Sequence, residues 1–594
     1  MLQQASTMGL LPSKAAWYEL TRKAQLAPEV PKLLPFSRYS PGRLCERAAK
    51  QWGRRPALLF QDEQFTWMEV DARANQWAHW FRRQGIAQRD VVALMFDNRP
   101  DFIFATLGLS KLGAVAALVN TNLSGKPLLH AVQIASARLF VGGGEHLAAI
   151  TAVAEQLRPT PIMIHAEGLT CDTALPVIDR EISASSFARP PGLPLPHGRD
   201  PTSYIYTSGT TGLPKAARIS NQRVVGAAAM FGRVMFDCGP GDVLYIVLPL
   251  YHSNAQWMGW GSCLLTGATM ALRRKFSASS FWQDVRRYQA THFLYIGEIC
   301  RYLTNAPVQP GEKDHRLRMG VGNGLRADVW KIFQERFGVP LLREFYGATE
   351  GNAILTNVEG RPGMIGRLAP VHQLIACDPM TGEPERAANG LCKPVGEGET
   401  GLFVALISPV TRFDGYLDAK ASSRKVIRDV RWKGDAWFNS GDLMTLHEDS
   451  WVSFADRVGD TFRWKGENVS TNEVAEVLNG APGVLQSNVY GVTVPGAEGR
   501  AGMASLVVDD RFQLDAFAAF VGQALPGYQR PWFIRLQKEV EQTATFKQKK
   551  VESREEGYDP TRCKDPLFFL EGSRYVPIDE PTWQRLRTGE IGPR

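Results

Sequence analysis

Over the first 340 or so residues, short apolar runs alternate with longer stretches whose apolar positions recur at helical spacing. The runs predict strands over 57–60, 64–66, 90–96, 139–141, 161–165, 242–247, 270–272 and 291–295. The longer stretches predict helices over 43–51, 67–84, 101–112, 221–236, 257–266, 281–288 and 327–337. Strand and helix in turn, with short loops between, point to an α/β fold with largely parallel sheets. The most apolar segment is 103–119, IFATLGLSKLGAVAALV. It is short for a membrane span and carries Lys111, so a buried helix is expected there.

Past residue 360 the pattern changes. Gly, Pro and Glu crowd 378–401, and a small β-rich subdomain is expected over 374–452. Asp456-Arg457-Val458-Gly459-Asp460 reads as a hinge, short and glycine-containing at a composition boundary. Beyond it, strands over 461–464, 487–492, 504–508 and 532–536 and helices over 471–478 and 514–525 make a compact α+β domain. The fold class expected is therefore α/β. A large N-terminal domain has mixed and parallel sheets flanked by helices, with the β-rich subdomain attached, and a smaller mobile α+β domain follows. The boundaries read as an arm over 1–40, the large domain over 41–456, the mobile domain over 457–559 and an irregular, proline-rich tail over 560–594. Within the arm, 16–26 has the pattern of one amphipathic helix.

Composition adds little. With 594 residues, 44% of them apolar and 22% charged, the chain has the make-up of a soluble multidomain protein. Its eight cysteines lack CxxC spacing, so neither a metal cluster nor a disulfide framework is expected, and a reducing cytoplasmic compartment is the default. A net charge of +8 is mild for this length. It suits phosphate-rich ligands or an acidic membrane surface better than nucleic acid. Residues 1–13 lack the basic start and apolar run of a signal peptide.

The chemistry concentrates at 204–215, YIYTSGTTGLPK. An apolar strand breaks into Thr207, Ser208, Gly209, Thr210, Thr211 and Gly212, and Lys215 follows. Such a turn offers successive backbone N–H groups, hydroxyl donors and one full positive charge, which together make a phosphate cradle. It is not the P-loop, because Pro214 and Ala216 flank the lysine. A glycine cluster, Gly320-Val321-Gly322-Asn323-Gly324, reads as a strand-to-helix turn one unit ahead of REFYGATE at 343–350. There an adenine can stack on Tyr346, and Glu350 can take Mg²⁺. Asp442 stands in NSGDL, placed to accept from both hydroxyls of a ribose.

In this order the strings resemble the adenylate-forming superfamily of acyl-CoA synthetases over about residues 40–555. EFYGATEGN (344–352), YIGEICRYL (295–303), GNGLRADVW (322–330), RFDGYLD (412–418), GDTFRWKGENVSTNEV (459–474) and TATFKQKKV (543–551) resemble its fatty acid transport protein and very-long-chain acyl-CoA synthetase branch. So does the tail DPLFFLEGSRYVPIDEPTWQRL at 565–586. The resemblance implies a long-chain or very-long-chain fatty acid–CoA ligase that uses ATP, Mg²⁺ and coenzyme A and passes through an acyl-adenylate. Thr207–Lys215 would hold the β- and γ-phosphates, and Thr207 and Glu350 the Mg²⁺. Tyr346 with Gly322, Gly347, Ala348 and Thr349 would hold adenine, and Asp442 and Arg457 the ribose. Lys547 would reach the α-phosphate and the carboxylate during adenylation only, and the face bearing Lys465 and Gly466 would replace it to admit the coenzyme A thiol. Catalysis is thus assigned to Lys547, Glu350 and Lys215. Animal members carry an N-terminal membrane segment, and none is read here. Cytoplasmic residence with peripheral attachment to the inner face of the plasma membrane is the expectation, and the oligomeric state is open, a dimer included. Two other readings stand beside it: an uptake protein with secondary ligase activity, and a ligase for a bile acid, a carnitine-like acid or an aromatic acid.

Overall fold

Helix ends show why the alternation is realised. A computed structural model describes residues 19, 21–34, 36–207, 213–409, 411–495, 497, 499–538 and 550–592. Ser40 caps helix Pro41–Trp52, its hydroxyl accepting from the Arg43 N–H at 3.4 Å. Thr66 opens helix Trp67–Arg83 with a capping box: Thr66 Oγ1 accepts from the Glu69 N–H at 3.3 Å, and Glu69 Oε2 accepts from the Thr66 N–H at 2.7 Å. A cap of this kind contributes about 1 kcal/mol.

The described residues form two compact units, Met1–Gly366 with Ile407–Val426, and Arg367–Leu406 with Ile427–Arg594. The first holds two sheets. One has eight strands in the order Ile354–Asn357, Leu341–Gly347, Met319–Asn323, His292–Ile296, Val243–Ile246, Thr269–Leu272, Pro56–Phe60, Glu63–Thr66, parallel except for the strand at each edge. The other has six in the order Ile162–His165, Leu139–Gly143, Val91–Met95, Val115–Leu118, Pro201–Thr207, Lys215–Ser220, parallel except for the last. Buried side chains such as Trp77, Trp80, Trp260 and Trp330 fill the space around them.

The segment 103–119 is not one helix. Helix Pro100–Leu112 stops at Gly113, whose φ of 67° is left-handed, and strand Val115–Leu118 follows. Lys111 is buried, and its ammonium donates to Asp71 and Asn75 at 2.7 Å each. Among the described residues no helix is long and apolar enough to cross a membrane. Two expected helices contain π-turns, at Met230–Met235 and Asn254–Trp260, a feature frequent beside functional sites.

In the second unit, Trp451–Arg457, Ala436–Leu446, Thr400–Leu406 and His372–Ile375 lie side by side, antiparallel, as the expected β-rich region. That region groups with the C-terminal residues, and 407–426 returns to the first unit. The return has a cause: the Leu417 N–H donates to the Ala216 carbonyl and the Arg218 N–H to the Gly415 carbonyl, both at 2.9 Å, extending the edge of the six-stranded sheet.

The expectation of an irregular tail fails. Leu567–Glu571 and Arg574–Pro577 complete a five-stranded sheet after Val484–Val492, Ala501–Val508 and Phe533–Gln537. Tyr558 stacks on Phe533 at 4.0 Å, and Arg535 pairs with Asp565 at 2.7 Å. Prolines at the ends of these elements conceal an apolar alternation, Leu567-Phe569 and Tyr575, that faces the core.

Candidate functional site

Tyr204-Ile205-Tyr206 forms the expected strand, and helix Asn221–Ala229 begins where expected, after a further, unexpected strand. Strand Lys215–Ser220 folds back on Pro201–Thr207, with Thr207 opposite Lys215, so the cradle is the tip of a hairpin. Of its candidates, Ser208, Gly209, Thr210, Thr211 and Gly212 lie outside the described residues, as does Lys547. Thr207 and Lys215 are described, and the pairing brings them together at the mouth of the loop.

The third strand-like segment, 415–417, sets the rest. Tyr416 bridges Ala217 and is buried. Its N–H donates to Ser422 Oγ at 2.8 Å. Its hydroxyl lies against the Glu350 carboxylate and the Thr207 hydroxyl, and Lys215 Nζ stands 5.9 Å from its ring centre. Burial, then the Glu350 charge, holds the Tyr416 proton well above the usual phenol range. Lys425 Nζ is 3.9 Å from Glu350 Oε1. Thr207 and Lys215 of the hairpin and the sequence-remote Glu350 therefore converge on one ring. Among the described residues, Thr207 Oγ1 is buried without a geometrically aligned hydrogen-bond partner. An unspent hydroxyl beside a carboxylate is a hard-oxygen donor set, which fits Mg²⁺.

Tyr346, Gly347, Ala348 and Thr349 occupy the C-terminal end of strand Leu341–Gly347 and the turn beyond it. Ligands of open α/β sheets bind at this end of the strands. The guanidinium of Arg223 donates to the Thr349 carbonyl at 2.9 Å and fixes the turn. Burial draws the pKa of Arg223 down, against the charges of Asp414 and Glu350. Gly320 and Gly322 are not in a turn as expected but inside strand Met319–Asn323. A Cβ on Gly320 would come 2.4 Å from the Phe293 ring, and one on Gly322 2.3 Å from the Tyr295 ring, so both glycines admit neighbouring aromatics. Asn254 Nδ2 donates to Asn323 Oδ1 at 2.8 Å at the end of that strand.

In the second unit, Asp442 and Arg457 are register partners on adjacent strands, with Arg457 Nε 3.6 Å from Asp442 Oδ1. Asp442 sits in a strand rather than a turn, after Gly441 at a φ of 79°. Lys465 and Gly466 form the exposed tip of hairpin Phe462–Trp464/Glu467–Val469. Helix Thr471–Asn479 is capped by Ser470. Gly459 has a φ of 82°, and its N–H donates to the Pro379 carbonyl at 3.2 Å. Asp460 next to it takes Lys550 and Arg554, each at 3.3 Å.

The Gly459 angle changes what a substitution there does. Proline holds φ near −65°. Gly459→Pro should therefore break the resting turn as well as any rotation, lowering the melting temperature and slowing both half-reactions. Gly459→Ala should cost about 1–2 kcal/mol for its left-handed residue. Calorimetry of both variants checks this, and an unchanged Gly459→Pro melt would contradict it.

Residue reasoning missed Tyr416, Arg223, Lys425 and Glu344. Tyr416 and Glu344 stood inside the quoted strings RFDGYLD and EFYGATEGN, but their partners are remote in sequence.

A family model described as "AMP-binding enzyme" matches residues 45–398. Long-chain fatty acid transport protein 6 of Mus musculus is 41% identical over 557 residues, 91% of this chain and 89% of that protein. Long-chain fatty acid transport protein 1 of Mus musculus is 43% identical over 569 residues, covering 92% and 87%. Among solved structures, an anthranilate CoA ligase in complex with anthranoyl-AMP superposes with a TM-score of 0.76 at 22% identity, over 87% of this chain and 97% of that one.

Proposed function

Because the chain belongs to the AMP-binding enzymes, and among them to the family of long-chain fatty acid transport proteins, we propose that it is a long-chain or very-long-chain fatty acid–CoA ligase working through an acyl-adenylate. The observation that carries the reading is the convergence of Thr207, Lys215 and Glu350 on Tyr416 at the mouth of the cradle.

In the first half-reaction a carboxylate oxygen of the fatty acid attacks the α-phosphorus of ATP. The bond to the β-phosphate oxygen breaks, and pyrophosphate leaves. Two anions must meet, so positive charge and alignment do most of the work. Lys215 and the cradle N–H groups hold the β- and γ-phosphates, Tyr346 and the turn 347–349 hold adenine, and Asp442 with Arg457 holds the ribose. Thr207 and Glu350 would hold Mg²⁺, which would neutralise charge on the phosphate oxygens. Lys547 bridges the α-phosphate and the acyl carboxylate. In the second half-reaction the coenzyme A sulfur attacks the acyl carbonyl carbon, the thiol proton is lost, and AMP leaves with the electron pair of the broken acyl–phosphate bond. A rotation at 457–460 withdraws Lys547 and brings up the face of Lys465 and Gly466. Attachment to the cytoplasmic face of a membrane, where fatty acids partition, is part of the proposal.

The test is a pyrophosphate-release screen with ATP, coenzyme A and acids of graded length. Each methylene taken up by an apolar pocket is worth about tenfold or more, so kcat/KM should climb steeply into the long-chain range. A maximum on benzoate, a bile acid or a carnitine-like acid would replace the substrate class and leave the adenylating chemistry standing. The names of the relatives favour one further reading, uptake with ligase activity secondary. Fatty acid uptake that persists in cells carrying Lys547→Ala would support it.

A further inference from the structure

Glu344 lies two residues before the proposed adenine-stacking Tyr346 on the same strand, and so on the same face of the sheet, and it is 1% exposed. Its carboxyl reaches sideways to the neighbouring strand's end. Oε2 accepts from the Gly324 N–H at 3.1 Å and Oε1 from the Leu325 N–H at 2.9 Å. The Tyr295 hydroxyl contacts Oε1 at 3.3 Å and also the Arg343 carbonyl at 3.0 Å. The loop thus held is tightly seated. Gly324 has a φ of 75°, and its carbonyl oxygen lies 1.8 Å from where a Cβ on Gly297 would be. One residue earlier, Asn323 is tied to Asn254.

We propose that Glu344 is a positioning residue that fixes the backbone of Gly324 and Leu325 as one wall of the nucleotide site. This rests on the ATP-dependent reading above. A buried carboxyl is an expensive way to tie down two N–H groups, since desolvation opposes its charge. Its retention beside Tyr346 is explained by what an apolar residue lacks: two acceptor oxygens in one plane, matched to consecutive N–H donors. Glutamine has only one, and its amide would point N–H at N–H.

The environment makes the contact sensitive to proton binding. Burial, against the bonds from Leu325 and Gly324, raises the pKa of Glu344 to about 8. The titratable groups facing it are Tyr295 on strand His292–Ile296 and Cys300 on helix Gly297–Asn305. Arg343 points to the other side, where it donates to the Val358, Val234 and Met235 carbonyls. The neutral carboxyl can donate to the Tyr295 oxygen, whose own proton goes to the Arg343 carbonyl. The ionised form takes all three donors and grips the loop more firmly.

The experiment measures KM for ATP and for a fatty acid separately, from pH 6 to 9, in the wild type and in Glu344→Gln, with melting curves on both. A hydrogen bond to a charged group is worth on the order of tenfold in an equilibrium constant. KM for ATP should rise about tenfold in Glu344→Gln at pH 9, with KM for the fatty acid unmoved. In the wild type KM for ATP should fall as pH rises through about 8, and Glu344→Gln should flatten that change. An unchanged KM for ATP overturns the proposal. So does a parallel rise in both KM values with a lowered melt, which marks Glu344 as packing alone. If Glu344→Gln does not fold, Tyr295→Phe, which removes one donor and leaves the carboxyl, should shift the wild-type inflection to higher pH, and an unmoved inflection overturns the proposal. A wild type indifferent to ATP overturns the ligase reading itself, and the role of Glu344 with it.

Discussion

Lys547→Ala should abolish acyl-adenylate formation while leaving thioester formation intact. A single preorganised charge at a reacting phosphate is worth about 10²–10³ in rate, and no second lysine is assigned to the α-phosphate. The variant should release no pyrophosphate above background from ATP and fatty acid. Given synthetic acyl-AMP and coenzyme A, it should form acyl-CoA at close to the wild-type rate, because the lysine has left by then. The split is the informative result. Loss of both half-reactions with an unchanged melt would mean that Lys547 serves both, and normal adenylation would remove it from catalysis. The chain on either side of the segment is well anchored. Strand Phe533–Gln537 precedes it, and Lys550 and Arg554 behind it are held by Asp460. Alanine at 547 should therefore act on chemistry rather than on folding.

Glu350→Gln should cost about as much, by a different route. The carboxylate faces Tyr416 and Lys425, and its charge acts on Arg223. Glutamine keeps the shape and loses the charge. Mg²⁺ should then bind poorly, and pyrophosphate release should fall on the order of 10²-fold at limiting Mg²⁺, partly recovered as Mg²⁺ is raised. The side chain is 14% exposed and glutamine fills the same space, so melting curves recorded beside the kinetics separate lost metal binding from lost fold. Activity within a few-fold of wild type at every Mg²⁺ concentration would take Glu350 out of the metal site.

What the sequence made legible follows a physical rule. Elements whose partners are implied by local pattern were readable, such as the capped helix Trp67–Arg83 or the apolar strand Val91–Met95. So were motifs whose chemistry is intrinsic to a short string, such as the cradle and YGATE. What stayed hidden depends on remote partners. Strand Lys215–Ser220 goes unread because its apolar alternation is interrupted by the exposed Arg218, and its pairing with 415–417 is remote in sequence. Gly320 and Gly322 read as a turn because nothing local announces that Phe293 and Tyr295 need their Cβ space. Tyr416 reads as one more aromatic, since its role lies in contacts with Thr207 and Glu350. The tail reads as irregular because prolines are visible in a sequence and a waiting sheet edge is not.

That edge has a consequence for how the protein is made. The C-terminal sheet is completed by Leu567–Glu571 and Arg574–Pro577, which follow its other strands in the chain. Chains emerge N-terminus first, at about 5–20 residues per second, and fold domain by domain. The hairpin of Thr207 and Lys215 and the turn of Glu350 are complete long before. Strand Phe533–Gln537, in contrast, has an open flank until the final strands emerge and pair with it. A chain that stops before residue 567 therefore has the paired strands of Thr207 and Lys215 while Phe533–Gln537 lacks its partner on one flank.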